Sequence, residues 1–141
     1  MIAGSKRSAA KIAVLNSLGR IYPQSRLIPD ANLEIAVTYI ADEKFRDAIP
    51  YLTTVINSPI GGGLKPTAYV KLGLSYYNLN NNSQALVNYQ QLIQQYPQST
   101  EAGDALETIK NIYVEDGHPN EYVDFMRKNG KNISITEADS L

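Results

Sequence analysis

The chain has 141 residues, a length that fits one domain with a core of its own or several short repeats sharing a continuous one. Thirteen Lys and Arg against fourteen Asp and Glu leave no clustered positive excess to neutralise phosphates, which excludes the electrostatic footprint of a nucleic-acid or anionic-membrane binder. There is no cysteine, hence no disulfide framework and no thiolate metal site, a composition that suits the cytosol and the periplasm equally.

Residues 5 to 21 predict a single helix, because Ala9, Ile12, Ala13, Leu15, Leu18 and Ile21 recur at helical spacing. Ahead of it, Met1 to Arg7 places its charges after the few apolar residues, the reverse of a secretory leader, and no run in the chain reaches transmembrane length. The helix ends at Tyr22-Pro23, and Tyr22-Pro23-Gln24-Ser25 recurs as Tyr96-Pro97-Gln98-Ser99. That offset of 74 residues also superposes Asp30-Ala31 on Asp104-Ala105. At half of it, 37 residues, Tyr39, Tyr76 and Tyr113 fall in register, as do Ile35, Leu72 and Ile109, and Leu52, Tyr89 and Met126. A fixed period of this size is the mark of stacked supersecondary units.

On this frame one helix is predicted from about Asp30 to Asp42 and a second from about Lys44 to Asn57, with Ala48 in the place that Ala85 takes later. Ser58 to Leu64 reads as a long, flexible loop whose three glycines either allow close approach of a ligand or span a gap. Gly61 to Thr67 lacks both the preceding strand and the spacing of a phosphate-binding loop. In the next unit Tyr69, Leu72 and Tyr76 share one face of a first helix, while Ala85, Tyr89 and Leu92 share a face of a second. Gly73 and Ala85 are small where two antiparallel helices would approach, Asn80 to Ser83 supplies the turn, and Pro97 stops the second helix.

Further on, Ser99 or Thr100 caps a helix that Asp116-Gly117 closes, and Pro119 with Glu121 opens another. Tyr122 stands where the alanine should be and Lys110 where the glycine should be, so this pair is expected to pack more loosely or to cover an end. In the tail, Ile133 and Ile135 alternate with polar residues before Thr136-Glu137-Ala138-Asp139, a capping-box-like helix start. An unpaired helix at the front and a new helix start at the back suggest a segment excised from a longer repeat protein.

Tyr69-x2-Leu72-Gly73-x2-Tyr76, Ala85-x3-Tyr89 and Pro97 fall on the spacing of the tetratricopeptide pattern (Trp-x2-Leu-Gly-x2-Tyr, Ala-x3-Phe, Pro), and residues 66–99 resemble one tetratricopeptide repeat (TPR). The resemblance implies an all-α, right-handed TPR superhelix, an α-α solenoid of about seven helices. Residues 5–25 would be the second helix of a partial repeat, 29–65 repeat 1, 66–99 repeat 2, 100–130 a divergent repeat 3, and 131–141 a tail or the start of a further repeat.

TPR arrays present a concave face from the second, fifth, ninth and twelfth positions of each repeat. Carried onto this chain these are Asp30, Leu33, Val37 and Ile40, then Thr67, Val70, Leu74 and Tyr77, then Asp104, Glu107, Asn111 and Val114. The implied partner-binding face is therefore Leu33, Val37, Ile40, Val70, Leu74, Tyr77, Glu107, Asn111 and Val114, with Lys71 as the one nearby cation. Apolar side chains cannot hold a carboxylate, so the clamp of chaperone-binding TPR domains is absent, and a peptide with hydrophobic anchors fits better. Tyr77 is the expected anchor, and Tyr76 the expected core residue beside it.

Catalysis has little to work with. His118, the one histidine, sits in a Gly-His-Pro-Asn turn and reads as a turn or cap residue, while Asp42 with Glu43 and Glu115 with Asp116 read as solvated helix ends. The expectation is a non-enzymatic scaffold for a protein or peptide, with no catalytic residue, metal or cofactor. The alternative is a structural spacer or self-association module, a homodimer that buries Leu33, Val37 and Val70. Ala68 to Tyr77, Tyr96 to Ser99 and Gly103 to Leu106 resemble the bacterial envelope branch of TPR proteins, which includes the Tol-Pal-associated periplasmic coordinator and the TPR lipoprotein of outer-membrane protein assembly. That resemblance implies the periplasm or cell envelope, with the cytoplasm as the alternative.

Overall fold

A computed structural model describes residues 2–129, with side-chain burial from residue 6 onward. The predicted tail at 131–141, including the helix start at Thr136, lies outside the described residues. Within them the chain is seven helices and no strand: α1 (Ile2–Ile21), α2 (Ile28–Ala41), α3 (Phe45–Asn57), α4 (Lys65–Asn78), α5 (Asn82–Gln95), α6 (Thr100–Glu115) and α7 (Pro119–Lys128). Each helix packs on the next in the chain, and α4 also packs on α6, so the whole is an all-α solenoid. α1 begins earlier than the spacing predicts, and α2 begins at Ile28 because Pro29 is accommodated in a first turn, where its missing N–H has no partner to lose. Pro66 opens α4 in the same register, 37 residues on.

The 37-residue period is written into the backbone. Glu43, Asn80 and Gly117, spaced by 37, are left-handed with φ of 59°, 61° and 76°, and each ends the first helix of a pair. The following N–H groups, of Lys44, Asn81 and His118, donate to the carbonyls of Tyr39, Tyr76 and Tyr113 at 2.8, 2.9 and 2.8 Å. This is the Schellman arrangement, which satisfies helix-end carbonyls and turns the chain back at once. Asn81 then caps α5, its side chain accepting from the Gln84 N–H at 3.2 Å, and Ser99 caps α6 by accepting from the Ala102 N–H at 3.1 Å.

Two apolar clusters make the core. The front one joins Ala36 of α2, Ala48, Leu52 and Val55 of α3, and Ala68 and Leu72 of α4. The rear one joins Tyr69, Ala85, Tyr89, Leu92 and Ile93 to Ala102, Ala105, Ile109 and Ile112 of α6 and Tyr122, Phe125 and Met126 of α7. Ile56 and Tyr76 pack against both, which makes the core continuous along the stack. Each large apolar side chain buried in this way contributes about 1.5–3 kcal/mol. Gly73 lies beneath the Tyr89 ring, the close approach expected of it. Tyr122, in the alanine position, is buried, and the Phe125 ring lies 5.9 Å from Tyr113, so α7 closes over the rear cluster with aromatic side chains.

The glycine segment is a packed turn rather than an open loop. Gly61 is buried, and a Cβ there would meet the Val55 carbonyl oxygen at 2.5 Å. Gly62 has φ of 43°, and Gly62–Leu64 forms a 3-10 turn that leads directly into α4.

Candidate partner-binding face

Three triads at i, i+4 and i+7 repeat at 37-residue spacing: Leu33, Val37 and Ile40 on α2, Val70, Leu74 and Tyr77 on α4, and Glu107, Asn111 and Val114 on α6. Such spacing keeps each triad on one side of its helix, next to the stripe that enters the core. The α2 and α4 triads are half-buried and apolar, whereas all three α6 residues are exposed. Leu33 and Ile40 lean on the front cluster, and Val70 and Tyr77 on the rear one. Val37 and Leu74 belong to neither, which leaves these two side chains the least committed of the apolar set. Lys71 is half-buried, and its carbonyl accepts from Ser75 Oγ at 2.8 Å.

Parts of the triads border two different pockets, Tyr77 one and Leu33 with Val37 the other. α4 and α6 pack together, and there the Tyr77 hydroxyl donates to Glu115 Oε1 at 2.6 Å while Asn82 Nδ2 donates to Asp116 Oδ1 at 3.2 Å. Tyr77, Asn78, Asn80, Asn82 and Glu115 line a polar pocket of about 290 Å3. The hydrogen bond to Glu115, helped by burial, raises the Tyr77 pKa above its ordinary value, since ionisation would put two negative charges side by side. The ring expected to be a free anchor thus already has its hydroxyl engaged. Glu115 is absent from the sequence-derived set, although its signal was present: it follows Val114, the residue in register with Tyr77 on the next first helix.

Leu33 and Val37 open elsewhere. They line an apolar groove of about 460 Å3 between α1 and α2, together with Leu15, Leu18, Leu27, Ala31 and the acids Asp30 and Glu34. This side of the molecule also carries most of the exposed large apolar side chains, Val14, Leu18, Ile21, Tyr22 and Leu27.

The second hairpin, α4 and α5 with Gly73 against Tyr89, is the unit that a family comparison can test. Residues 67–99 match the tetratricopeptide repeat family. The matched TPR spans α4, α5 and the junction as far as Ser99, and the left-handed turns at Glu43 and Gly117 repeat its architecture in the hairpins on either side. No curated protein matches the chain. A TPR of this kind points to protein–protein interaction. Among the described residues no three of His, Asp and Glu come together as metal ligands. His118 occupies the N-cap position of α7, its Nδ1 3.8 Å from Glu121 Oε1, and makes no capping bond with its side chain.

Proposed function

We propose that the chain is a non-enzymatic scaffold that binds a peptide or a helix of a partner protein across α4 and α6. The observation that carries this reading is the pairing of an apolar strip, Val70 and Leu74, with the polar pocket built by Tyr77, Glu115 and three asparagines on the adjacent turn. A ligand with one or two hydrophobic anchors and a hydrogen-bonding end would satisfy both parts, and the exposed Glu107 and Asn111 would form the rim. A bacterial envelope or periplasmic setting rests on the resemblance of Ala68 to Tyr77, Tyr96 to Ser99 and Gly103 to Leu106 to TPR proteins of that compartment.

Leu74→Lys tests the reading, because Leu74 packs in neither core cluster. The variant should keep the parental circular dichroism and melting temperature and bind partners recovered by crosslinking at least tenfold more weakly, given about 1.5–3 kcal/mol for a buried leucine. Full capture by Leu74→Lys would remove α4 and α6 as the binding face.

A further inference from the structure

The groove between α1 and α2 is separate from the α4–α6 face, and the internal period shows what it lacks. Offsets of 37 and 74 place Leu15 in register with Leu52 and Tyr89, and Leu18 with Val55 and Leu92. Those four counterparts are fully buried, each pair in a cluster that includes the first helix of its own repeat. Leu18 is 44% exposed and Leu15 half-buried, so two core-type leucines face open space.

Beside them Val14, Leu18 and Ile21 form an exposed stripe at i, i+4 and i+7 along α1, and Arg7 lies on the same stripe two turns before Val14. The groove is acidic on its α2 side, and the basic residues of the preceding sequence lie outside its lining. The sequence before Asp30 holds five Lys and Arg and no acid, whereas the α2 wall presents Asp30 and Glu34. Lys11 pairs with Glu34; Asp30 is exposed and makes no ion pair among the described residues.

We propose that a second copy of this chain fills the groove. Two copies pack with their α1 helices antiparallel about Val14, each α1 lying in the other's α1–α2 groove, and the α1 and α2 helices of both copies form a four-helix bundle. The surface is self-complementary, as a two-fold interface requires: the stripe that one copy inserts borders the groove that it offers. Antiparallel is also the direction in which a repeat's first helix runs against its second, so the partner's α1 takes the place that first helices take over Leu52, Val55, Tyr89 and Leu92. Centred on Val14, the pair sets Arg7 of one copy level with Ile21 of the other. Leu18, one turn before Ile21 on the same stripe, and Asp30 of α2 line the same groove. Each dimer then gains two Arg7–Asp30 pairs.

The wild-type chain should sediment at twice its 15.6 kDa at high micromolar concentration, with a melting temperature that rises with concentration. Val14→Asp, at a site 60% exposed, should give a monomer with unchanged helical content. Arg7→Glu and Asp30→Arg should each weaken the dimer roughly tenfold, and the double variant should recover it, because the charges are exchanged and not removed. A monomeric wild-type chain, a dimer that survives Val14→Asp, or a double variant as weak as the single ones overturns the proposal. Leu74→Lys should leave the dimer intact, so loss of partner capture and loss of self-association are read separately.

Discussion

Gly73 and Tyr89 share one space, and that sharing decides what either residue can become. A Cβ on Gly73 would lie 2.7 Å from Tyr89 Cδ1 and closer still to Cε1 and Cζ. Tyr89 is 1% exposed and packed within the rear cluster, so the ring has nowhere to retreat. Alanine gains about 1 kcal/mol of helix propensity over glycine, while overpacking costs about 1–3 kcal/mol, and steric cost should win. Gly73→Ala is therefore expected to destabilise the chain by up to about 2 kcal/mol in urea unfolding. In a Tyr89→Leu background the same change should be neutral or stabilising, a coupling that a double-mutant cycle reads directly. An equal penalty in both backgrounds would show that the ring is not its source.

At the scale of the elements, the three left-handed turns form a natural series. An L side chain at positive φ is strained by about 1–2 kcal/mol, asparagine less than most, and glycine not at all. Glu43→Gly should thus raise stability by about 1 kcal/mol, Asn80→Gly by less, and Gly117→Ala should lower it by about 1 kcal/mol, all as shifts in the denaturant midpoint at constant slope. A destabilised Glu43→Gly would mean that its side chain contributes more than its backbone costs. Two of these turns were legible from residue type, since Asn80 and Gly117 are turn formers; Glu43 is not, and only the 37-residue register finds it. The repeated Tyr-Pro-Gln-Ser shows the opposite case, one local sequence in two local structures. Ser99 caps α6, whereas Ser25 accepts from the Leu27 N–H at 3.1 Å and α2 starts later, at Ile28. The candidate face divides in the same way. Its triads follow from helical spacing, but the Tyr77–Glu115 bond depends on how α4 stacks on α6, and the α1–α2 groove on which leucines the stack leaves uncovered; no local pattern reports either.

Across the whole molecule, tyrosines tie stability to alkaline pH. Burial pushes the Tyr89 hydroxyl up to about 12, outweighing the hydrogen bond to Thr108 that favours its ionisation. Burial also raises Tyr39 and Tyr113, and the bond to Glu115 raises Tyr77. These residues sit on α2, α4, α5 and α6, so the effect extends over most of the stack. Because the folded pKa lies above the unfolded one, the folded chain keeps protons that the unfolded chain has already released. The resulting stability is fully present below pH 10 and is lost as pH rises through about 12. Tyr89, ionised only in the unfolded chain over this range, steepens the fall by at most about 1.4 kcal/mol per pH unit. Tyr89 has the largest shift, so Tyr89→Phe should flatten the decline in urea midpoint above pH 10 while costing some stability at neutral pH through loss of the Thr108 bond. Tyrosinate absorbance supplies the independent reading: in the parent chain the last hydroxyl to ionise should do so together with loss of helical circular dichroism, and in Tyr89→Phe that coincident step should disappear. If both chains lose stability equally steeply, Tyr89 is not the residue that holds its proton until the core opens.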